Sequence, residues 1–113
     1  SDYDLVFQTV EKAHAKFPTG TYAIWYPVVE RSRITRLEKQ FNNSGIKNIQ
    51  RFELAITADS DERGMTSSGM MVINPPWQLI ETMNQLLPKL VNVLAVDATA
   101  WYQNSPAWLL RQT

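Results

Sequence analysis

Apolar residues recur with a helical period in two stretches of the chain. Residues 3–17 repeat them at steps of three and four, which predicts an amphipathic helix that ends at Pro18 and Gly20. The same spacing predicts a second helix over Arg31–Asn43, and Gly45 suits the left-handed position that follows a helix. Both helices should bury one apolar stripe against a common core.

Between and after these helices the period changes to that of strands. Residues 21–29 (TYAIWYPVV) are almost continuously apolar, which predicts a strand buried on both faces, as in a parallel sheet. Regular pairing should end at Pro27, because proline has no N–H to donate to a ladder. Residues 48–57 alternate apolar and charged side chains, which predicts a strand with one partly wet face. A polar loop joins it to residues 69–73, so the two should form a long hairpin.

The remaining chain predicts one more helix and one more strand. A third helix should open at Asn74-Pro75-Pro76, with Pro88 kinking or restarting it, and residues 98–103 form a candidate last strand. The order helix, strand, helix, strand, strand, helix, strand is typical of the second half of a doubly wound α/β domain that ends in an antiparallel hairpin. The apolar strand at residues 21–29 needs neighbours on both edges, so further partner strands are expected upstream.

Composition excludes several classes of protein. The chain of 113 residues has 11 Lys+Arg against 11 Asp+Glu, which argues against a self-sufficient, highly basic nucleic-acid binder. It has no Cys and one His, so disulfides, thiolate chemistry and the usual zinc ligand sets are excluded. No apolar run approaches the length of a membrane span, and no signal peptide is visible, so a cytoplasmic protein is expected. Ser1 stands where Met would start a chain, which predicts a piece of a longer protein.

Two short motifs fail on their chemistry. Asp59, Asp61 and Gly64 match the first half of a calcium loop, but Met70 stands where a bidentate Glu is required, so no metal is predicted. Gly64 and Gly69 have phosphate-loop spacing, but no Lys follows them and a strand takes the place of the expected helix. A solvated hairpin loop is the better interpretation of this stretch.

The tetrapeptide Asn74-Pro75-Pro76-Trp77 directly follows an apolar strand. Methyltransferases that act on adenine amines use a strand-terminal (Asp/Asn)-Pro-Pro-aromatic motif, in which oxygens accept hydrogen bonds from the amine and the ring stacks on a flipped base. An amide at Asn74 is a weaker acceptor than a carboxylate. The alternative is structural: Asn74 caps the third helix and Trp77 packs.

Longer strings of the sequence resemble one family. Three stretches are similar to the carboxyl-terminal half of the bacterial 23S ribosomal RNA adenine-N6 methyltransferase J family: FPTGTYAIWYPVV, IQRFELAITADSDERGMTSSGMMVINPPW and IETMNQLLPKL. This family was formerly associated with the use of external DNA. The similarity runs from about Asp2 to about Tyr102. It implies that residues 1–103 form the carboxyl-terminal part of a Rossmann-like methyltransferase domain and that residues 104–113 form a tail.

The resemblance also implies where the chemistry lies. The family binds S-adenosylmethionine and methylates an adenine amine of 23S ribosomal RNA, and its catalytic Asp-Pro-Pro-Tyr lies upstream of this segment. Because the family carries Asn-Pro-Pro-Trp in addition, no catalytic residue is expected here, and Asn74 and Trp77 are near-misses. The cofactor should be bound mainly upstream, in agreement with the absence of any G-x-G. The full-length enzyme should be active, without metal or membrane, as a monomer, and this segment alone inactive.

Three residues are predicted to contact the substrate. In a doubly wound sheet, ligands bind beyond the carboxyl ends of the strands. Tyr26 and Pro27 lie near the end of the apolar strand, and Arg63 lies in the hairpin loop, where it could meet RNA phosphate. Two alternatives stay open: a non-catalytic α/β binding module, favoured by the short neutral chain, and a role in the use of external DNA as a nutrient.

Overall fold

The seven predicted elements are present in the predicted order. A computed structural model describes residues 2–60 and 64–107. The elements are α1 (Asp2–Lys16), β1 (Tyr22–Val28), α2 (Arg31–Asn43), β2 (Ile49–Ala55), β3 (Ser67–Ile73), α3 (Trp77–Leu94) and β4 (Trp101–Pro106). Gly45 follows α2 with φ +85°, as the left-handed position after the helix requires.

The four strands form one sheet in the order β1-β3-β2-β4, and every neighbouring pair is antiparallel. The predicted hairpin of β2 and β3 is confirmed, with Ile49 opposite Ile73 and Ala55 opposite Ser67. The last strand lies three residues later than predicted, so β4 brings residues 104–106 of the predicted tail into the sheet. Ala107 follows β4 and is buried, and residues 108–113 of that tail lie outside the described residues.

Helices α1 and α2 cover one face of the sheet. The predicted stripe of α2 is confirmed, since Ile34, Leu37 and Phe41 are fully buried. They pack on the side chains that β1 and β3 direct to this face, and Phe7 of α1 meets Phe41 edge-on at a ring-centroid distance of 4.9 Å. The main core of the molecule therefore lies between the sheet and α2, with α1 packed against it.

Helix α3 covers only part of the opposite face. Leu87 packs on Phe52 and Val72 in a second, smaller cluster. Trp25 and Met70 are register partners on this same face, and they are 60% and 36% exposed. The prediction that β1 is buried on both faces is therefore wrong for the described residues, because α3 does not extend over this part of the sheet.

Strand β1 is an outermost strand of the sheet, and its only ladder among residues 2–60 and 64–107 is with β3. That ladder is antiparallel, so the prediction of parallel neighbours is wrong for this part of the sheet. Pairing also continues past Pro27 to Val28, which lies opposite Ser67, and so does not end where predicted. A strand with one ladder tolerates proline, because the missing donor can face away from the partner.

Helix α3 runs from Trp77 to Leu94 without interruption, and Pro88 lies inside it. Of the two outcomes predicted for Pro88, a kink or a restart, the restart does not occur. Within the described residues, no helix combines the length and apolar character needed to cross a membrane.

Candidate functional site

The carboxyl ends of β1 and β2 lie side by side with the amino ends of β3 and β4, at one end of the strands rather than along an outermost strand. This arrangement follows from the antiparallel ladders, which place Val28 opposite Ser67 and Ala55 opposite both Ser67 and Trp101. We call it the carboxyl edge. The turn from β1 into α2 and the hairpin loop both leave the sheet here, so this edge is where the two connections can meet.

A row of register partners crosses the sheet near the carboxyl edge. Tyr26 lies opposite Gly69, and Gly69 lies opposite Glu53. A Cβ atom at Gly69 would overlap the Tyr26 ring, so glycine lets the ring lie flat across β3. The Tyr26 hydroxyl then reaches over the central strand and donates to Glu53 Oε2 at 2.7 Å. Both side chains are buried.

Two arginines neutralise the buried carboxylate of Glu53. Arg51 Nη2 lies 2.7 Å from Glu53 Oε2, and Arg31 Nη2 contacts Oε1. Arg51 also donates from Nη1 to Glu38 of α2 at 2.8 Å. All but Arg31 are almost completely buried, and such ion pairs hold only when each charge finds a partner in good geometry.

Arg31 connects this buried cluster to the surface. Its Nε and Nη2 donate to the two oxygens of Asp59, at 2.8 and 3.1 Å, in the paired geometry that guanidinium and carboxylate favour. The guanidinium carbon also lies 5.6 Å from the centre of the Trp101 ring. Arg31 thus ties the start of α2 to the hairpin loop and to β4. We refer to the six residues as the Glu53 network: Tyr26, Arg31, Glu38, Arg51, Glu53 and Asp59.

The protonation states of the Glu53 network favour a structural role over a role in proton transfer. Burial, followed by the charge of Glu53, raises the pKa of Tyr26 well above its usual range, so the hydroxyl stays protonated and keeps donating. Burial likewise raises the pKa of Glu38. The hydrogen bond from Arg31 lowers the pKa of Asp59 and keeps it ionised. The network therefore positions the β1–α2 turn and the hairpin loop relative to each other.

Asn74 lies at the opposite edge of the sheet, about 20 Å from the carboxyl edge at the usual rise along β3. Its Nδ2 donates to the carbonyls of Pro18 and Gly20 at 2.8 and 2.9 Å, and its Oδ1 accepts from Asn48 at 3.2 Å. Its φ is +55°, and Pro76 precedes the first turn of α3. The prediction that Asn74 caps the helix is therefore wrong, because its amide instead joins three loops.

The other predicted site residues lie apart from one another. Trp77 starts α3 and is 65% exposed. Pro27 is half-buried, accepts a hydrogen bond from the Tyr3 hydroxyl at 3.5 Å, and lines a cavity of about 270 Å³ with Val29. Arg63 lies outside the described residues. The structure brings Tyr26 and Pro27 to the carboxyl edge, and it buries the Tyr26 side chain completely.

Sequence reasoning missed most of the Glu53 network. The alternation in β2 led to the expectation of a wet face at Arg51 and Glu53, yet both are buried. A signal was present in α2, where Glu38 falls within the apolar stripe of Leu37 and Phe41. A carboxylate at such a position needs a buried cation, and the alternating charges of β2 offered one.

The Glu53 network fills the buried part of the carboxyl edge. Tyr26 donates to Glu53 and Arg31 donates to Asp59, while Arg31 Nη1 and Arg51 Nε are buried without a hydrogen-bond partner in the described part of the chain. The gap above Gly69 is filled by the Tyr26 ring. Among residues 2–60 and 64–107, no group of three or more His, Asp or Glu side chains could hold a metal ion. The geometry of this segment therefore indicates that the Glu53 network positions the β1–α2 turn and the hairpin loop.

Fold and site together define a mixed α/β domain whose buried polar groups serve structure. The sequence profile of the family described as "RsmJ: Ribosomal RNA large subunit methyltransferase D, RlmJ" matches residues 1–109. The chain belongs to this family of ribosomal RNA methyltransferases, which confirms the resemblance noted from the sequence.

Two curated relatives carry the name "Ribosomal RNA large subunit methyltransferase J". The Haemophilus influenzae protein is 51% identical over 98 residues, covering 87% of this chain and 35% of the relative. The Escherichia coli protein is 46% identical over 99 residues, covering 88% of this chain and 35% of the relative. The chain thus spans about a third of the length of these relatives.

A crystal structure of a Legionella pneumophila protein has a similar fold. The TM-score is 0.82 at 25% sequence identity, and the match covers 93% of this chain and 38% of that one. The same arrangement of helices and strands therefore occurs inside a longer protein.

Proposed function

We propose that this chain forms the carboxyl-terminal part of an S-adenosylmethionine-dependent methyltransferase that modifies the N6 amine of an adenine in 23S ribosomal RNA. The observation that carries the proposal is the family match over residues 1–109, supported by 51% identity to a relative named as a large subunit ribosomal RNA methyltransferase. The proposed enzyme works in the cytoplasm as a monomer. Its catalytic residues lie in the part of the protein outside these 113 residues.

The position of β1 as an outermost strand with one ladder among the described residues supports this assignment. β1 and β2 run in the same direction with β3 antiparallel between them, and β1 has no second ladder among the described residues. Trp25 and Met70 expose apolar surface beside this edge. In the proposed Rossmann-like domain, parallel strands from the rest of the protein continue the sheet next to β1 and cover that surface.

The chemistry is divided between the two parts of the protein. S-adenosylmethionine supplies an electrophilic methyl group when it is bound, and the residues that bind it lie mainly outside this segment. The segment contributes the carboxyl edge, where ligands of doubly wound sheets bind. There the Glu53 network fixes the turn that follows β1, with Tyr26 holding the strand that carries Pro27.

Of the three predicted substrate contacts, Pro27 is best placed to meet RNA directly. It lines the cavity at the end of β1 together with Tyr3 and Val29. Tyr26 is buried and directs its hydroxyl to Glu53, so a contact with the target base would require that hydrogen bond to open. The phosphate contact of Arg63 remains a prediction.

The test is methyl transfer by the full-length protein. With radiolabelled S-adenosylmethionine and protein-free 23S ribosomal RNA transcribed in vitro, we expect label in the RNA, and nuclease digestion with mass spectrometry should identify N6-methyladenosine. Ribosomal RNA that the enzyme has already modified serves as the control and should accept no label. Label in another nucleoside would contradict the adenine assignment, and no transfer at all would contradict the function.

The isolated segment provides a second test of the same proposal. We expect it neither to transfer methyl groups nor to bind S-adenosylmethionine in calorimetry, because the cofactor site lies in the remainder of the protein. Saturable binding by the segment alone would contradict this division of the chemistry.

A further inference from the structure

Helix α2 has a strongly asymmetric charge distribution in a chain of zero net charge. Arg33, Arg36 and Lys39 are exposed at successive steps of three residues, which places them along one side of the helix over about 9 Å. The only acid within α2 is Glu38, which is buried and bound to Arg51. The outward side of α2 therefore carries three cations and no acid of its own. We call these three residues the α2 basic face.

The α2 basic face borders a groove that leads to the carboxyl edge. Two adjoining cavities of about 270 and 210 Å³ lie between the start of α1 and α2, and both are lined by Tyr3 and Arg33. The first cavity reaches Pro27 and Val29 at the end of β1, and the second reaches Arg36. A strand of nucleic acid lying in this groove would arrive where β1 ends.

Acidic neighbours hold two of the cations only loosely. Arg33 lies 3.3 Å from Glu30, with both side chains more than half exposed, and Arg36 lies 3.3 Å from Asp4. Both arginine side chains are more than half exposed, while the Asp4 side chain is 29% exposed. Ion pairs of surface arginines contribute little to stability, so these arginines can exchange a carboxylate for a phosphate at small cost. Asp4 also accepts a hydrogen bond from Gln40 at 3.1 Å, which lowers its pKa and leaves it with a partner when Arg36 moves.

We propose that the α2 basic face binds the sugar–phosphate backbone of the ribosomal RNA next to the target adenine and directs that strand through the groove to the carboxyl edge. This inference rests on the proposed function, because it takes RNA as the polyanion. Contacts with phosphate fix the position of a nucleic acid without reading its sequence. The α2 basic face would thus determine the affinity and register of the RNA, and the choice of adenine would be made elsewhere.

The experiment compares two triple variants of the full-length enzyme. The test variant combines Arg33→Gln, Arg36→Gln and Lys39→Gln. The matched control combines Lys12→Gln, Lys16→Gln and Lys89→Gln, which removes the same charge from exposed positions on α1 and α3. Each is assayed for kcat, for the KM of protein-free 23S ribosomal RNA at several salt concentrations, and for the Kd of S-adenosylmethionine. A variant with Arg33→Lys and Arg36→Lys retains the charge.

We expect the test variant to raise the KM for RNA about tenfold and to reduce the slope of log KM against log salt by about one per lost phosphate contact. Its Kd for S-adenosylmethionine should match the wild type, which shows that the variant is folded. The control should behave as the wild type, and the lysine variant should keep most of the salt dependence.

Equal KM values and salt slopes in the test and control variants would overturn the inference. The same holds if the test variant loses kcat alone, because a phosphate contact acts on RNA affinity. A failure of the proposed function looks different, since the wild-type enzyme itself would then transfer no methyl group to the RNA. If the triple variant binds no S-adenosylmethionine, Arg33→Gln and Lys39→Gln are measured singly, and a wild-type KM in both contradicts the proposal.

Discussion

The two faces of the sheet differ in burial, and the difference is the opposite of what the polarity of their side chains predicts. The face toward α1 and α2 carries Arg51 and Glu53, yet it is the more thoroughly buried face. The face toward α3 carries Trp25 and Met70, yet these remain exposed. Burying charged groups requires partners of matching geometry, and here residues of the same segment form the ion pairs of Glu53 with Arg31 and Arg51. Apolar surface needs only to be covered, and another part of the protein can do that.

Breaking the charged face should have the largest effect on stability. In the full-length protein, Glu53→Gln leaves the buried Arg51 and the half-buried Arg31 facing a neutral amide and should lower the free energy of unfolding by about 3–5 kcal/mol. Denaturant unfolding measures the loss. Glu30→Gln, which removes an exposed partner of Arg33, is the control and should cost about 0–1 kcal/mol. Equal losses in both variants would show that the network is not the stabilising feature of this face.

The close approach across β3 should give the next largest effect. Gly69→Ala places a methyl group against the Tyr26 ring, and relieving that overlap should cost about 1–3 kcal/mol of unfolding free energy. The same change in a Tyr26→Leu background should cost much less, because the ring is gone. A double-mutant cycle from thermal or denaturant unfolding measures the coupling. Additive losses would contradict a role for Gly69 in seating Tyr26.

The apolar face predicts association when the segment is separated from the rest of the protein. Exposed Trp25 lies beside the side of β1 that has no ladder among residues 2–60 and 64–107, and it should make the isolated chain aggregate with rising concentration. Trp25→Lys should reduce this in light scattering, because a charge on an edge strand opposes pairing with another chain. Phe17→Lys, at an exposed apolar position outside the sheet, is the control. An isolated chain that stays monomeric and melts cooperatively would contradict the proposal that this edge is covered in the full-length enzyme.

The surface end of the Glu53 network should give the smallest effect. Because Arg31 lowers the pKa of Asp59 below its ordinary value of 3.8, the ionised carboxylate stabilises the fold above that pH. The contribution is lost as the pH falls through the lowered pKa. Asp59→Asn should therefore reduce stability modestly at neutral pH, and the difference from the wild type should shrink in acid. A difference that stays constant down to the lowest pH at which the protein is folded would contradict this assignment.

Much of the fold could be predicted from local pattern. The helical stripe Ile34, Leu37 and Phe41 is buried as expected, and the hairpin of β2 and β3 is confirmed. The errors concern what lies opposite a given side chain. The two-residue period of a strand predicts that Arg51 and Glu53 share a face. It does not predict that α2 places Glu38 above them. Asn74 was misassigned for the same reason, since its partners Pro18 and Asn48 are far away in the sequence.

The sequence by itself determined the type and order of the seven elements and the family to which the chain belongs, because these depend on short-range periodicity and on strings of identical residues. Only the tertiary structure decided that Tyr26 crosses Gly69 to reach Glu53, that Arg31 joins α2 to the hairpin loop, and that β1 keeps a free edge among the described residues. Burial and ion pairing depend on elements brought together from distant parts of the chain, and local patterns carry no record of those partners.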